Sequence, residues 1–194
     1  TVDRCHGFEP TTVEGTIPAG LKGTLWRNGP GQFELFERPY SHWFDADGLA
    51  TAVRLDGGRA QMACQIVECP ALAQERAAGK PMFASGQTRA PWWRMVGGRG
   101  KAVRNINMLA HDAQMFALAE GGLPIPIDAN TLESSAPTAF VAEQGSFHGH
   151  YRVDPKTGDV YGFGVEYGRH TTVNVYRLSP GRSEPAIPWP CLRA

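Results

Sequence analysis

"LATAVRLDGGRAQMACQIVE", residues Leu49 to Glu68, decides the fold class. Two extended runs rich in Val, Leu, Ile and small residues flank Asp56-Gly57-Gly58. Glycines in that place supply the positive φ of a tight reversal, so the segment reads as an antiparallel hairpin.

The pattern recurs outward from there. Asn107 to Glu120, "NMLAHDAQMFALAE", places His111-Asp112 between two strand-like runs, and Gly121-Gly122 stops the return. In Ser146 to Gly164, "SFHGHYRVDPKTGDVYGFG", Tyr151-Arg152-Val153 runs out and Val160-Tyr161-Gly162-Phe163 comes back across an Asp-Pro-Lys-Thr-Gly turn. Thr171 to Leu178, "TTVNVYRL", is a fourth extended run, closed by Ser179-Pro180-Gly181. The 23 Gly and 15 Pro fall between short apolar runs instead of collecting in one linker, as in an all-β chain. One helical patch interrupts it, residues 71–79, "ALAQERAAG", closed by Gly and expected to lie over a loop. The expectation is therefore all-β: a sandwich, a barrel or a propeller, among which strand spacing does not choose.

With 42% hydrophobic and 20% charged residues among 194, and a mean hydropathy of −0.31, the chain has the composition of a soluble globular protein. Nineteen Lys+Arg balance nineteen Asp+Glu, so no global field steers it toward nucleic acid, which is not an expected partner. No stretch approaches the roughly eighteen apolar residues of a membrane span, and Thr1 to His6 lacks the apolar core of a signal peptide. A cytoplasmic location is expected. Cys5, Cys64, Cys69 and Cys191 show no C-x-x-C spacing and read as free thiols.

Six histidines carry most of the possible chemistry. His148 and His150 are two apart, which puts both rings on one face of an extended segment. They either share an ion or sit solvated beside the turn. His42 opens "HWFDADG", where Asp45, Asp47 and Gly48 fall short of a calcium loop. A turn whose carboxylates cap backbone amides is expected there. His111, at a hairpin tip, and His170 are expected to be exposed. Asn28-Gly29-Pro30-Gly31 lacks the Lys-Ser/Thr of a phosphate loop, and no Gly-x-Ser-x-Gly elbow occurs, so nucleophilic catalysis has no support. Trp26, Trp43, Trp92, Trp93 and Trp189 read as core or rim.

Taken together, several segments in order resemble the carotenoid cleavage oxygenase family, which includes apocarotenoid and lignostilbene oxygenases. "GTIPAGLKGTLWRNGPGQFE" at Gly15 is similar to its entry motif, and "HWFDADGLATAVRL" at His42 to its His-aromatic-Phe-Asp-Gly-Asp-Gly signature. "ERAAGK" at Glu75, "NIN" at Asn105 and "FALAEGGLPIPIDANTLES" at Phe116 follow in register. "GHYRVDPKTGDVYGFG" at Gly149 resembles the Ala-His-Pro segment with its Asp-Pro-x-Thr-Gly turn.

The resemblance implies a seven-bladed β-propeller with a non-haem Fe(II) held by four histidines, three of them oriented by glutamates. His150 matches the first ligand and His148 does not. Glu120 matches one of the orienting glutamates, whose own ligand is expected among the three that these residues lack, the alternative being an exposed strand-end carboxylate. Lys101 falls where lignostilbene members carry a lysine that contacts a phenolic oxygen; Leu72 stands where an aromatic partner is expected, and a solvated loop charge is the other reading of Lys101. The implied activity is cleavage of a carbon–carbon double bond of a carotenoid or apocarotenoid by O2 to two carbonyl products, with stilbene cleavage as the alternative. The implied partners are an apolar conjugated small molecule and O2, with room for peripheral membrane contact during substrate uptake.

Two residues depart from the pattern, Ala46 for Gly and Tyr151 for Pro, and "AIPWPCLRA" stands where a His-Asp-Phe motif with the second ligand is due. Residues 1–194 are thus expected to be the N-terminal part of a single propeller domain, truncated before the second iron ligand. One imidazole does not hold Fe(II) in a defined geometry, so the chain alone is expected to be inactive, or to be a non-catalytic remnant. A zinc hydrolase or cupin-like site using His148 and His150 equally is the remaining rival.

Overall fold

Between β5 (Asp47–Asp56) and β6 (Arg59–Ile66) the anticipated hairpin closes on Gly57 and Gly58, whose φ angles of 55° and 76° are open to glycine at no steric cost. Its ladder runs without interruption from Asp56↔Arg59 to Leu49↔Ile66. The computed structural model describes residues 1–84, 100–137, 146–167 and 169–181, and the backbone of 189–193. Trp92 and Trp93 lie outside the described residues, as do the side chains of Trp189 and Cys191.

β1 (His6–Pro10) and β2 (Gly23–Gln32) extend that hairpin to a four-stranded antiparallel sheet in the order β1-β6-β5-β2. The short pair β3 (Glu34–Leu35) and β4 (Arg38–Pro39) and a 3-10 turn over Trp43–Asp45 lead from β2 into β5. β7 (Asn107–His111), β8 (Gln114–Leu118) and β9 (Ile125–Ile127) form a three-stranded sheet. Its first turn falls on Asp112 and Ala113, one residue later than expected, leaving His111 as the last residue of β7 with a ring only 11% exposed. The expected exposure of His111 is thereby corrected, while His170 is exposed as expected.

The third sheet, in the order β10-β11-β12-β13, joins β10 (Arg152–Val153), β11 (Val160–Glu166), β12 (Thr172–Leu178) and β13 (Trp189–Arg193). The Asp154–Asp159 loop reverses the chain as the sequence indicates. Asp154 accepts the Lys156 amide on its side chain at 2.9 Å, and Gly158 turns at φ 75°.

α1 spans Pro70–Ala78, one residue ahead of the sequence expectation. Cys69 caps it through its sulfur, Pro70 occupies the first turn, and Gly79 ends it in the left-handed region at φ 63°. It does not lie over a loop: Leu72 is fully buried and Glu75 is 2% exposed, because this face of the helix packs into the main core.

Two buried clusters tie the sheets together. One gathers Ala50, Ala52, Ala63, Leu72, Met108, Ala117 and Ile125; the other Leu109, Phe116, Leu118, Phe147, Val160 and Tyr176. The paired residues Met108↔Ala117 belong to the first and the paired residues Leu109↔Phe116 to the second. Side chains alternate across a strand, so the middle sheet is buried on both faces, between the first sheet and the third. Among the described residues, no helix is long and apolar enough to cross a membrane.

Candidate functional site

Where β8 runs out, Ala119 and Glu120 meet the chain entering the third sheet. Ala119 bridges His148 in parallel, the His148 amide donates to the Phe163 carbonyl at 2.8 Å, and the Gly149 amide donates to the Ala119 carbonyl at 2.8 Å. The Asn107 side-chain amide donates to the Gly149 carbonyl at 3.0 Å. A Cβ on Gly149 would stand 2.5 Å from Cγ2 of Ile106, so only glycine fits between the two histidines without displacing the Ile106 side chain. His148-Gly149-His150 is therefore pinned from three sides.

Its two rings come to the same carboxylate, as their spacing requires. Nε2 of His150 lies 2.8 Å from Oε1 of Glu120, and Nδ1 of His148 lies 3.3 Å from Oε2. A carboxylate only accepts, so the facing nitrogen of His150 donates and its other ring nitrogen is left for a metal or a further donor. The environments differ sharply: the His150 ring is 58% exposed, whereas the His148 ring is 11% exposed and stacks on Phe163 with centroids 4.7 Å apart. Burial pushes the His148 imidazolium below the usual histidine range, with Glu120 opposing the shift. The solvated reading of the pair thus fails for His148, because β11 lays Phe163 over it.

One open imidazole suits one corner of a metal site, and with the adjacent carboxylate it does not complete one. Among the described residues, no group of three or more His, Cys, Asp or Glu side chains is placed to hold a metal ion.

The HWFDADG motif does something else. Nδ1 of His42 accepts the Phe44 amide at 3.1 Å and caps the 3-10 turn. The Asp47 carboxylate does not cap amides as expected. It takes a hydrogen bond from the Tyr40 hydroxyl at 2.8 Å and sits 2.7 Å from Nζ of Lys101. Oε2 of Glu75 receives the same ammonium at 2.9 Å, while its Oε1 accepts the Met82 and Phe83 amides at 2.8 and 3.1 Å. Lys101 is neither a solvated loop charge nor a free donor for a phenol: its side chain is 1% exposed, and its three N–H groups have Asp47, Glu75 and Tyr40 around them. Burial pulls the ammonium pKa down, but Asp47 and Tyr40 outweigh it and hold Lys101 above the ordinary lysine range. Burial, reinforced by Asp47, raises the Tyr40 hydroxyl as well.

Sequence reading missed this cluster: Asp47 and Glu75 lie in the HWFDADG and ERAAGK segments and Lys101 is read alone, but at separations of 54 and 26 residues nothing local brings the three together. Leu72, weighed as a neighbour of the site, is core. Cys5, Cys64 and Cys69 are free thiols as expected.

Residues 3–192 match the family described as RPE65, retinal pigment epithelial membrane protein, and the chain belongs to that family. It is similar to the apocarotenoid-15,15'-oxygenase of a Synechocystis species, 31% identical over 182 residues that cover 87% of this chain and 37% of that protein. It is also similar to resveratrol cleavage oxygenase 1 of Chaetomium globosum, 35% identical over 80% of this chain and 27% of that protein. Isoeugenol monooxygenase of Pseudomonas putida is 31% identical, over 78% of this chain and 32% of that enzyme. A solved Synechocystis apocarotenoid oxygenase variant shares the fold with a TM-score of 0.82 at 27% identity, over 98% of this chain and 43% of that chain. A cobalt-substituted form of the same oxygenase gives 0.77 at 30% identity, over 91% and 40%. The chain thus spans between 27% and 37% of the length of these three curated relatives.

Proposed function

We propose that residues 1–194 form the N-terminal part of a single seven-bladed β-propeller domain of a non-haem Fe(II) dioxygenase. The reaction is cleavage of a carbon–carbon double bond of a carotenoid or apocarotenoid by O2 into two carbonyl products. The observation that carries this reading is the His150–Glu120 pair at 2.8 Å, half exposed at the end of the middle sheet, in a chain similar to apocarotenoid oxygenase along most of its length.

His150 would be one iron ligand; Glu120, which lies 2.8 Å from it here, would orient the ring of another ligand, one that these residues do not include. The other ligands would come from the part of the relatives' length that these residues do not span, which is also why the 194-residue chain alone is expected to be inactive. Bound Fe(II) with open positions supplies a place for O2 beside an electron-rich double bond. This chain's own contribution is to hold one imidazole in place: the Asn107, Ala119 and Phe163 contacts fix the backbone that carries it. A carotenoid is favoured over a phenolic stilbene because Lys101, the residue on which the phenol reading depends, is locked into its buried ion cluster.

The test is a chimera in which residues 1–194 replace the matching part of the Synechocystis apocarotenoid oxygenase, assayed for bound iron and for apocarotenoid cleavage. Stoichiometric iron and turnover, both lost on His150→Ala, are expected. A folded chimera that keeps its iron and turnover in His150→Ala would falsify the assignment.

A further inference from the structure

We propose that Tyr151 is a positioning residue: its hydroxyl ties the segment that carries His150 to β7 and so fixes the backbone from which that imidazole projects. The meaning of this for metal binding rests on His150 being an iron ligand; the tether itself does not.

His150 lies in a gap between two anchored stretches. Ahead of it Gly149 is bonded through both backbone groups, its amide to the Ala119 carbonyl at 2.8 Å and its carbonyl to the Asn107 side chain at 3.0 Å. After it β10 starts at Arg152, which pairs with Tyr161. Among the described residues, no backbone hydrogen bond holds His150 itself. Gly149, which the close approach of Ile106 requires, also brings the wide φ/ψ freedom of glycine, so a hinge stands directly before the imidazole.

Tyr151 closes the gap from the other side. Successive side chains of extended chain point opposite ways, so where the His150 ring is 58% exposed, Tyr151 turns inward. Its half-buried ring packs against the second buried cluster, and its hydroxyl donates to the Met108 carbonyl at 2.7 Å. Asn107 and Met108 are adjacent on β7, so both chain neighbours of His150 are tied to one strand. A ligand on a wandering backbone binds metal more weakly, because the entropy of ordering it opposes binding. The resemblance has Pro at this position, which would hold residue 150 extended by ring sterics; here the tether supplies that restraint.

The experiment uses the chimera with the Synechocystis apocarotenoid oxygenase. In the iron-free protein, hydrogen exchange over residues 146–153 reads the Gly149 amide. Tyr151→Phe keeps the ring and removes only the hydroxyl; it should speed that exchange roughly fivefold, the scale of one hydrogen bond, and leave exchange elsewhere unchanged. Fe(II) binding should weaken about tenfold in the same variant, as on loss of an outer-shell partner, with KM for the apocarotenoid unchanged. Tyr151→Pro, which restrains residue 150 by sterics, should bind iron more tightly than Tyr151→Ala. A hydroxyl that only stabilised the fold would lower the melting temperature and leave the iron affinity alone.

A folded Tyr151→Phe chimera with wild-type exchange, or with faster exchange and wild-type iron affinity, overturns the proposal. Should Tyr151→Phe not fold, equal iron affinity in Tyr151→Pro and Tyr151→Ala overturns it instead. His150→Ala separates the two readings: iron retained there removes His150 as a ligand, while faster exchange in Tyr151→Phe keeps the tether.

Discussion

Two groups of ionisable side chains in this molecule have nearly the same contact distances and opposite surroundings. Around Lys101 the contacts to Asp47 and Glu75 are 2.7 and 2.9 Å, and these three side chains are 1–2% exposed. Around Glu120 the contacts to His150 and His148 are 2.8 and 3.3 Å, and two of the three side chains are 57–58% exposed. Burial decides what each can do. In the closed cluster water cannot replace a lost partner, so the group cements β5, α1 and the chain at residue 101. In the open one water or an incoming ion can compete for the imidazole, which a structural site avoids and a metal site needs.

The contrast breaks first if the buried cluster proves dispensable. Lys101→Met leaves two buried carboxylates without their cation and is expected to cost about 3–5 kcal/mol in chemical denaturation; a loss under about 1 kcal/mol would show that water reaches the cluster. Next comes Gly48→Ala, because a Cβ at residue 48 would stand 1.8 Å from the Arg104 carbonyl oxygen. Backbone must move to admit it, for roughly 1–3 kcal/mol. A neutral result in the same unfolding assay would mean that residues 104–105 do not clamp the HWFDADG motif as Asn105 suggests, with its bonds to the Phe44 and Ala46 carbonyls at 2.8 and 2.9 Å.

A smaller effect is expected from alkali. Tyr40 and Lys101 both have folded-state pKa values held above their ordinary ones, so the fold favours the protonated form of each. Their contribution is fully present below about pH 10 and is lost as pH rises toward the folded-state values. The melting temperature should fall more steeply above that point in the wild type than in Tyr40→Phe, and equal slopes would rule out this source. Smallest of all, His150→Ala should change stability by no more than about 0.5 kcal/mol, since the ring is exposed. A large loss would move His150 from the open class to the structural one.

How far the residues could be read in advance depended on how local their causes are. The hairpin at Gly57-Gly58, the Asp154 turn and the end of α1 at Gly79 depend on backbone preferences of a few adjacent residues, and each stands within about a residue of where the chain suggested. The common side of His148 and His150 follows from the two-residue alternation of extended chain. The burial of His148 does not, because Phe163, which covers it, lies on another strand. Lys101 is harder still: its carboxylate partners are 54 and 26 residues away, and nothing about an isolated lysine says that both will close on it.

By itself, then, the order of residues determined the main hairpins, their turns, the helix at Pro70–Ala78 and the chemical types gathered near those strand ends, since these follow from φ, side-chain alternation and capping within a few residues. Only the tertiary structure decided which charges lose their water. Desolvation is set by what packs on a group from elsewhere in the chain, and it made Lys101 a buried cement and left His150 open beside Glu120.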